Sequence, residues 1–372
     1  MLAKNGNKTT KPELIYCAAG NKRFAEIAIR HGMTYGAQLP NTIYYHPDFV
    51  DQDWRNPKRE KYMDALKSRR PRLATVLDLE YEHQFEEVIS WAHEAAAHVK
   101  EAVLIIPKVK GIIHRIPRAI EGKQVRLAYS VMTSLAGTEV PPSEFGGWPV
   151  HLLGGSPLVQ MRLSQKMTVV STDGNYAQKM AVERNQFFAG AGNVKAKNRF
   201  WPKLDESVFG YVEHDTPYKA FELSMMNIKS WWAGCAAMIR HAIEGDLRHI
   251  KRIANQYRDE LGHVMYPALR ESINRQSLYV AEREGHIVGF VNFRLRRDGG
   301  ITIYEIAADK QSRGFDLNIG SGLIAALPRA DIRLKCTVDN PANAFYEHQG
   351  FTCVRTEDGR KRRLNVWVRC AE

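Results

Sequence analysis

Three stretches of this chain set reactive residue types at the ends of apolar runs. Leu73-Ala-Thr-Val-Leu-Asp78 reads as a strand that ends in a carboxylate, with Glu80 close behind. Trp148-Pro-Val-His151-Leu-Leu-Gly154-Gly155-Ser-Pro157 reads as a strand, a glycine turn and a helix start. It is followed by Thr168-Val-Val-Ser-Thr-Asp173-Gly-Asn175-Tyr176, a second strand ending in a carboxylate. Two carboxylates on neighbouring strand ends can share nucleophilic and acid–base work. The plainer role for Asp173 is to cap the helix that starts near Asn175. The third stretch, Asn340-Pro-Ala-Asn-Ala-Phe-Tyr346-Glu-His-Gln-Gly350-Phe351, reads as a strand end, a short helix carrying Tyr346, a glycine stop and a new strand.

The elements that must hold these residues follow from hydrophobic patterning. Short apolar runs start at Leu14, Leu73, Val103, Arg126, Val150 and Thr168, and amphipathic stretches separate several of them. Strand–helix repeats with near-continuous apolar strands predict a parallel sheet covered on both faces. With polar residues just after the strand ends, the pattern suits a TIM-type (β/α) barrel over residues 12–176. Residues 177–245 read as a helical extension that completes the barrel or links the domains. Residues 246–372 change to two helices and an antiparallel meander, a mixed α/β domain. The fold class is therefore α/β throughout, with two domains in 372 residues.

A net charge of +12 favours a polyanionic partner, DNA, RNA or an acidic cofactor. Basic residues interleave with aromatics at Trp54-Arg-Asn-Pro-Lys-Arg-Glu-Lys-Tyr62 and at Lys195-Ala-Lys-Asn-Arg199-Phe-Trp201, a composition that grips phosphates and stacks bases. No apolar run has the length of a membrane span, and the first residues lack a signal peptide's core. Cys17, Cys235, Cys336, Cys353 and Cys370 form no Cys-x-x-Cys pair, so neither a zinc site nor a disulfide framework is expected. A reducing cytoplasm is the default location. The histidines His83, His93 and His98 are not spaced with carboxylates as metal ligands.

The last 125 or so residues resemble GNAT acetyltransferases. Residues 279–290 are similar to that family's first hairpin, and Ile303-Tyr-Glu305-Ile-Ala307 to the strand beside the acyl group. The resemblance implies acetyl-CoA or another acyl-CoA as cofactor. It makes Glu305 a general base for an amine and Tyr346 an acid to the leaving thiolate. It puts Gln311, Arg313, Gly314, Gly320, Gly322 and Asn340 at the cofactor. Gly314 departs from the family's compact glycine loop, because Phe-Asp316-Leu-Asn precedes Ile319-Gly320-Ser-Gly322. The Asp316 carboxylate should repel phosphate.

The segment around Asp173 resembles tRNA-guanine transglycosylases, in particular the branch that inserts deazapurines into DNA. The resemblance implies Asp173 as a covalent nucleophile at a sugar C1′ and Asp78 as the acid to the departing base. His151, Gly154, Gly155, Asn175, Tyr176, Arg199 and Trp201 would meet the nucleobase or its strand, and an extruded base is implied. The leading expectation is a DNA-modifying enzyme that cleaves or exchanges a nucleobase and carries an acyltransferase-like domain, in phage DNA hypermodification or defence. The alternatives are an acetyl-CoA-dependent N-acetyltransferase with a nucleic-acid- or protein-binding barrel, a DNA glycosylase releasing a modified base, and a nucleic-acid-binding protein with both folds inactive.

Overall fold

A computed structural model of the chain describes residues 11–17, 21–39, 43–132, 137–190, 200–204, 215–310, 318–359 and 362–371. It divides into two compact units, Met1–Lys179 and Met180–Glu372.

The first unit is a closed barrel. Its strands are β1 (Glu13–Cys17), β2 (Thr34–Leu39), β3 (Phe49–Gln52), β4 (Leu73–Thr75), β5 (Ala102–Ile105), β7 (Lys123–Ser130), β8 (Val150–Leu153) and β9 (Val169–Gly174). Each pairs in parallel with the next in chain order, and β9 returns to β1. The short β6 (Ala119–Ile120) hairpins onto β7 from outside the ring. Helices α1 (Lys22–Arg30), α2 (Arg59–Arg69), α3 (Phe85–Ala96) and α4 (Pro157–Ser164) cross over between strands, and α5 (Tyr176–Arg184) follows β9. Among the described residues the β2–β3, β5–β7 and β7–β8 connections hold no α-helix.

Local chemistry explains these elements. Asn21 starts α1 by accepting the Arg23 N–H at 3.0 Å. Ser156 and Pro157 start α4 in the same way, one as cap and one as first residue. α3 buries Phe85, Val88, Ala92, Ala95 and Ala96, a single stripe at helical spacing. All four residues of β5 are buried because helices cover one side and the barrel interior the other. Ile15, Phe49, Leu73, Ala102, Leu104 and Ala128 fill that interior. At the N-terminal ends of the strands, Arg72 pairs with Glu13 and Glu101, and the buried Arg126 also reaches Glu101.

The second unit holds α6 (Thr216–Trp232), β10 (Met238–His241), α7 (Leu247–Asn255), α8 (Arg258–Leu261) and α9 (Tyr266–Asn274). It continues with β11 (Leu278–Arg283), β12 (His286–Leu295), β13 (Ile301–Ala308), α10 (Ile319–Ala326), β14 (Ile332–Thr337), α11 (Ala342–His348), β15 (Thr352–Asp358) and β16 (Arg363–Arg369). The sheet order is β10-β11-β12-β13-β14-β16-β15, antiparallel except for β13–β14.

The stretch expected to extend the barrel behaves differently. β10 pairs with β11, and Asn227 of α6 clamps it: the Asn227 side chain exchanges bonds of 2.7 and 2.8 Å with the Ile239 backbone. α6 also seats α10, whose Gly322 lies against Cys235 and Ser230. The two compact units divide after Lys179, and α6 and β10, within the stretch read as completing the barrel or linking the domains, belong to the second.

Candidate functional site

The C-terminal ends of the barrel strands gather most of the unit's buried acids. Asp173 closes β9. Its Oδ1 accepts the Gly154 N–H at 2.9 Å and lies 3.2 Å from His151 Nε2. Its Oδ2 makes no hydrogen bond among the described residues. The carboxylate thus leans toward β8 and does not cap α5. His151 is wholly buried, stacked on Phe49 and 2.8 Å from Ser171 Oγ, so it orients Asp173. Gly154 and Gly155 have φ values of 69° and 82°, which suit glycine. The Gly154 N–H expected for a base or phosphate is spent on Asp173.

Sequence reasoning missed Asp51, on β3. Thr75 Oγ1 donates to Asp51 Oδ1 at 2.8 Å, while the same hydroxyl accepts the Gln52 N–H at 2.9 Å. Burial pushes the Asp51 carboxyl up to about 8; the Asp173 charge adds to this, and Asp78 contributes a smaller part. Asp51 therefore keeps its proton near neutral pH. Burial, and then Asp173 and Asp51, also push the Cys17 thiol well above its ordinary value, so all three groups share one neighbourhood.

Asp78, the expected proton donor, is committed elsewhere. Lys108 Nζ lies 2.6 Å from it and 3.0 Å from Glu80. Burial raises the Asp78 carboxyl above its ordinary value, and the contact with Lys108 opposes that rise. Exposed aromatics stand just beyond the same strand ends. Trp54 packs under Arg55 at 5.0 Å and Tyr81 stacks on His83 at 5.6 Å. Asn175 is exposed and Tyr176 half-buried at the start of α5. Trp201 belongs to the second unit, where it is buried against Phe188. Arg199 lies outside the described residues. Among the described residues no group of three His, Cys, Asp or Glu is placed to hold a metal, and no helix is long and apolar enough to cross a membrane.

The second unit offers a cleft. β13 and β14 pair only at Ile301–Ile332 and Thr302–Arg333, although both strands run on to Ala308 and Thr337. On its other side β13 stays paired with β12 as far as Ala308. Among the described residues the β14-facing backbone edge of residues 303–307 has no strand partner, and the Ala308 carbonyl accepts from the Tyr257 hydroxyl at 2.6 Å. The β12–β13 register shifts there, leaving Tyr304 as an extra residue, and Glu305 sits opposite Asn292. Asn292 Nδ2 donates to Glu305 Oε2 at 2.6 Å. Burial raises the Glu305 carboxyl and this hydrogen bond lowers it.

Tyr346 sits on α11 against Phe351 and Trp367, with ring centroids 5.9 and 6.2 Å away. Burial, and then the Cys336 thiol, push its phenol above the ordinary range. Asn340 works as a cap, accepting the Ala342 N–H at 2.9 Å. The hub is Asn343, which the motif contained but sequence reasoning passed over. Its Nδ2 donates to the carbonyls of Thr337 and Asn340 at 3.0 and 2.8 Å, and its Oδ1 accepts from Trp367 Nε1 at 2.9 Å. It ties α11, and so Tyr346, to β14 and β16. Gly320 and Gly322 have packing reasons. A Cβ would come within 2.7 Å of the Phe345 ring at the first and 2.4 Å of Cys235 at the second. Gln311, Arg313, Gly314 and Asp316 lie outside the described residues.

Comparison with known proteins adds to this geometry. The acetyltransferase (GNAT) domain model matches residues 274–353. Ard1 from Thermoplasma volcanium is 22% identical with a TM-score of 0.33, covering 37% of this chain and 99% of its own. Naa50 from Arabidopsis thaliana, solved with a bisubstrate analogue, is 15% identical with a TM-score of 0.28, covering 35% and 96%. An acetyltransferase from Bacillus anthracis, assigned to streptothricin and solved with acetyl coenzyme A, is 23% identical with a TM-score of 0.25, covering 30% and 70%. No curated protein matches the chain. A second family model, described only as a family of unknown function, DUF6610, matches residues 27–233; it assigns the barrel no activity and so does not carry the transglycosylase resemblance. With that match spanning more than half its length, the chain belongs to the DUF6610 family, and it carries a GNAT acetyltransferase domain at its C-terminal end.

Proposed function

We propose that the second unit transfers an acyl group from coenzyme A to an amine, with Glu305 as base and Tyr346 as acid. The observation that carries this reading is the parting of β13 from β14 beside Glu305. Unpaired strand edges must find hydrogen-bond partners. The amide-bearing arm of coenzyme A fits such an edge as an added strand does. Bound there, acetyl-CoA supplies a carbonyl activated toward attack. Glu305 takes the proton that the amine loses as its nitrogen bonds to the acyl carbon. Tyr346 gives its phenolic proton to the sulfur released as the C–S bond breaks. The raised Tyr346 phenol holds that proton at neutral pH, as an acid must.

The test is thiol release from acetyl-CoA across polyamines, peptides and amine-bearing oligonucleotides. Release that depends on one amine class is expected, and Tyr346→Phe should lower it about a hundredfold. Release no faster than background hydrolysis with every amine removes the reading.

A second reading belongs to the barrel, on the observation that Asp173, held by His151 and the Gly154 N–H, shares the strand-end neighbourhood of Asp51, a carboxyl that burial pushes up to about 8. N-glycosidic cleavage needs such a pairing, a carboxylate at C1′ and an acid for the departing base. Asp173 fits the first role, and Asp51 replaces Asp78 in the second. The TIM-type barrel and the transglycosylase resemblance around Asp173 are in keeping with base release or exchange on DNA. Nucleosides recovered from treated DNA should show base loss or replacement, abolished in Asp173→Asn. Unaltered nucleosides with the native chain would discard this reading.

A further inference from the structure

Side chains alternate between the two faces of a strand, so strand register sorts them. Phe290 and Asn292 of β12 lie opposite Ala307 and Glu305 of β13. Phe290 and Ala307 pack with Ile250 of α7 and Leu269 of α9, so these helices cover this face over β11–β13. Arg294, two residues beyond Asn292, shares the face. From it one row runs Arg294, Thr302, Arg333, Val368, Thr352 across β12, β13, β14, β16 and β15. The next row is Lys335, Val366 and Arg355. Here the cationic side chains are exposed, while Val366 between Lys335 and Arg355 is buried. Arg294 and Arg333 are exposed, and Lys335 and Arg355 are 52% and 62% exposed.

This half is a cationic floor continuous with Glu305. Its acids include Glu357, which pairs with Lys335 and Arg355, Asp298 at the β12–β13 turn, which pairs with Arg296, and exposed Asp331 just before β14, which accepts the Ala371 N–H. After Arg296, Arg333 lies close enough to Asp298 to help hold that carboxyl below its ordinary value, although the Arg333 and Asp298 side chains are not in contact as an ion pair. From β12 to β15 the floor spans four strand spacings, roughly 19 Å. Tyr304, the extra residue of the bulge and 56% exposed, stands next to Glu305 in the chain. Spaced cations beside an exposed aromatic match a single-stranded nucleic acid, whose phosphates pair with cations while its bases stack. A run of Asp or Glu has charge but no ring to stack.

We infer that the amine acylated by this domain is carried on a single-stranded nucleic acid. Its phosphates lie along Arg294, Arg333, Lys335 and Arg355, and a base stacks on Tyr304. This rests on the acyl-transfer reading. The full chain is titrated into short fluorescein-labelled DNA and RNA strands, by anisotropy at a series of salt concentrations. The Arg294→Ala/Arg333→Ala double variant should bind about tenfold more weakly. Its salt slope should fall by about 1.4, the share of two phosphates that no cation neutralises any longer. Tyr304→Ala should cost at least about fivefold. Acetyl-CoA affinity, measured by calorimetry, should stay unchanged in the arginine double variant, and circular dichroism melts matching the native chain should show that both variants are folded. Unchanged strand affinity and slope overturn the inference, as does polyglutamate binding as tightly as the oligonucleotides. Those results would leave the acyl-transfer reading intact; loss of acetyl-CoA binding in the native chain would remove that reading instead.

Discussion

Glu305→Gln should lower amine acylation by about two to four orders of magnitude, with acetyl-CoA affinity nearly unchanged. Gln keeps the size of the side chain and its hydrogen bond with Asn292, so the loss isolates the proton-accepting oxygen. The pH profile adds a sharper check. A base acts only when ionised. Burial raises the Glu305 carboxyl, so the acid limb of the rate profile should lie above the usual glutamate range. Asn292 Nδ2 donates to the ionised form and opposes that rise. Asn292→Leu should therefore move the limb further toward neutral pH while leaving the plateau rate largely intact. A limb that stays in place would mean that another group takes the proton.

Asp51→Asn should make the chain more stable. The native carboxyl titrates near 8 in the folded barrel and near 4 in an unfolded chain. The folded form then binds the proton more tightly. Below about pH 4 this has no effect on stability. Between about pH 4 and 8 the native chain loses stability as pH rises, and above that range the loss is constant. An Asn amide resembles the protonated acid and can still accept the Thr75 hydroxyl. The variant should gain on the order of 5 kcal/mol at pH 8 and nothing below pH 4, read from denaturant melts at both. The same variant cannot donate a proton, so any base release by the barrel should stop. A chain that is stabilised and inactive at once would mark Asp51 as a functional acid, because such sites are held at a cost to stability.

The sequence made much of this architecture visible through one kind of signal. Aliphatic runs mark β5, β7 and β8 because both faces of each strand are buried. The segment from Asn340 to Phe351 marks α11 and its tyrosine because the glycine stop and the aromatic spacing are local. β2 and β3 stayed hidden. Thr34-Tyr-Gly-Ala-Gln-Leu39 has little aliphatic content, and β3 is only four residues long. With β3 went Asp51, whose proton affinity is raised first by burial and then by Asp173 across the barrel, both products of the closed ring rather than of the local sequence. Asn343 was in plain view, yet its role depends on Trp367 and Asn365, which reach it through sheet pairing. α6 was legible as an amphipathic helix, but an apolar stripe does not say which core it joins. The cationic floor emerges only from register, since Arg294, Arg333, Lys335 and Arg355 are scattered over three strands.

The open edge of β13 is where the acyl-transfer account can be checked most directly. Acetyl-CoA should bind the native chain saturably and slow amide hydrogen exchange at residues 303–308, with no comparable change along β11. Absence of binding heat together with unaltered exchange on β13 would contradict it.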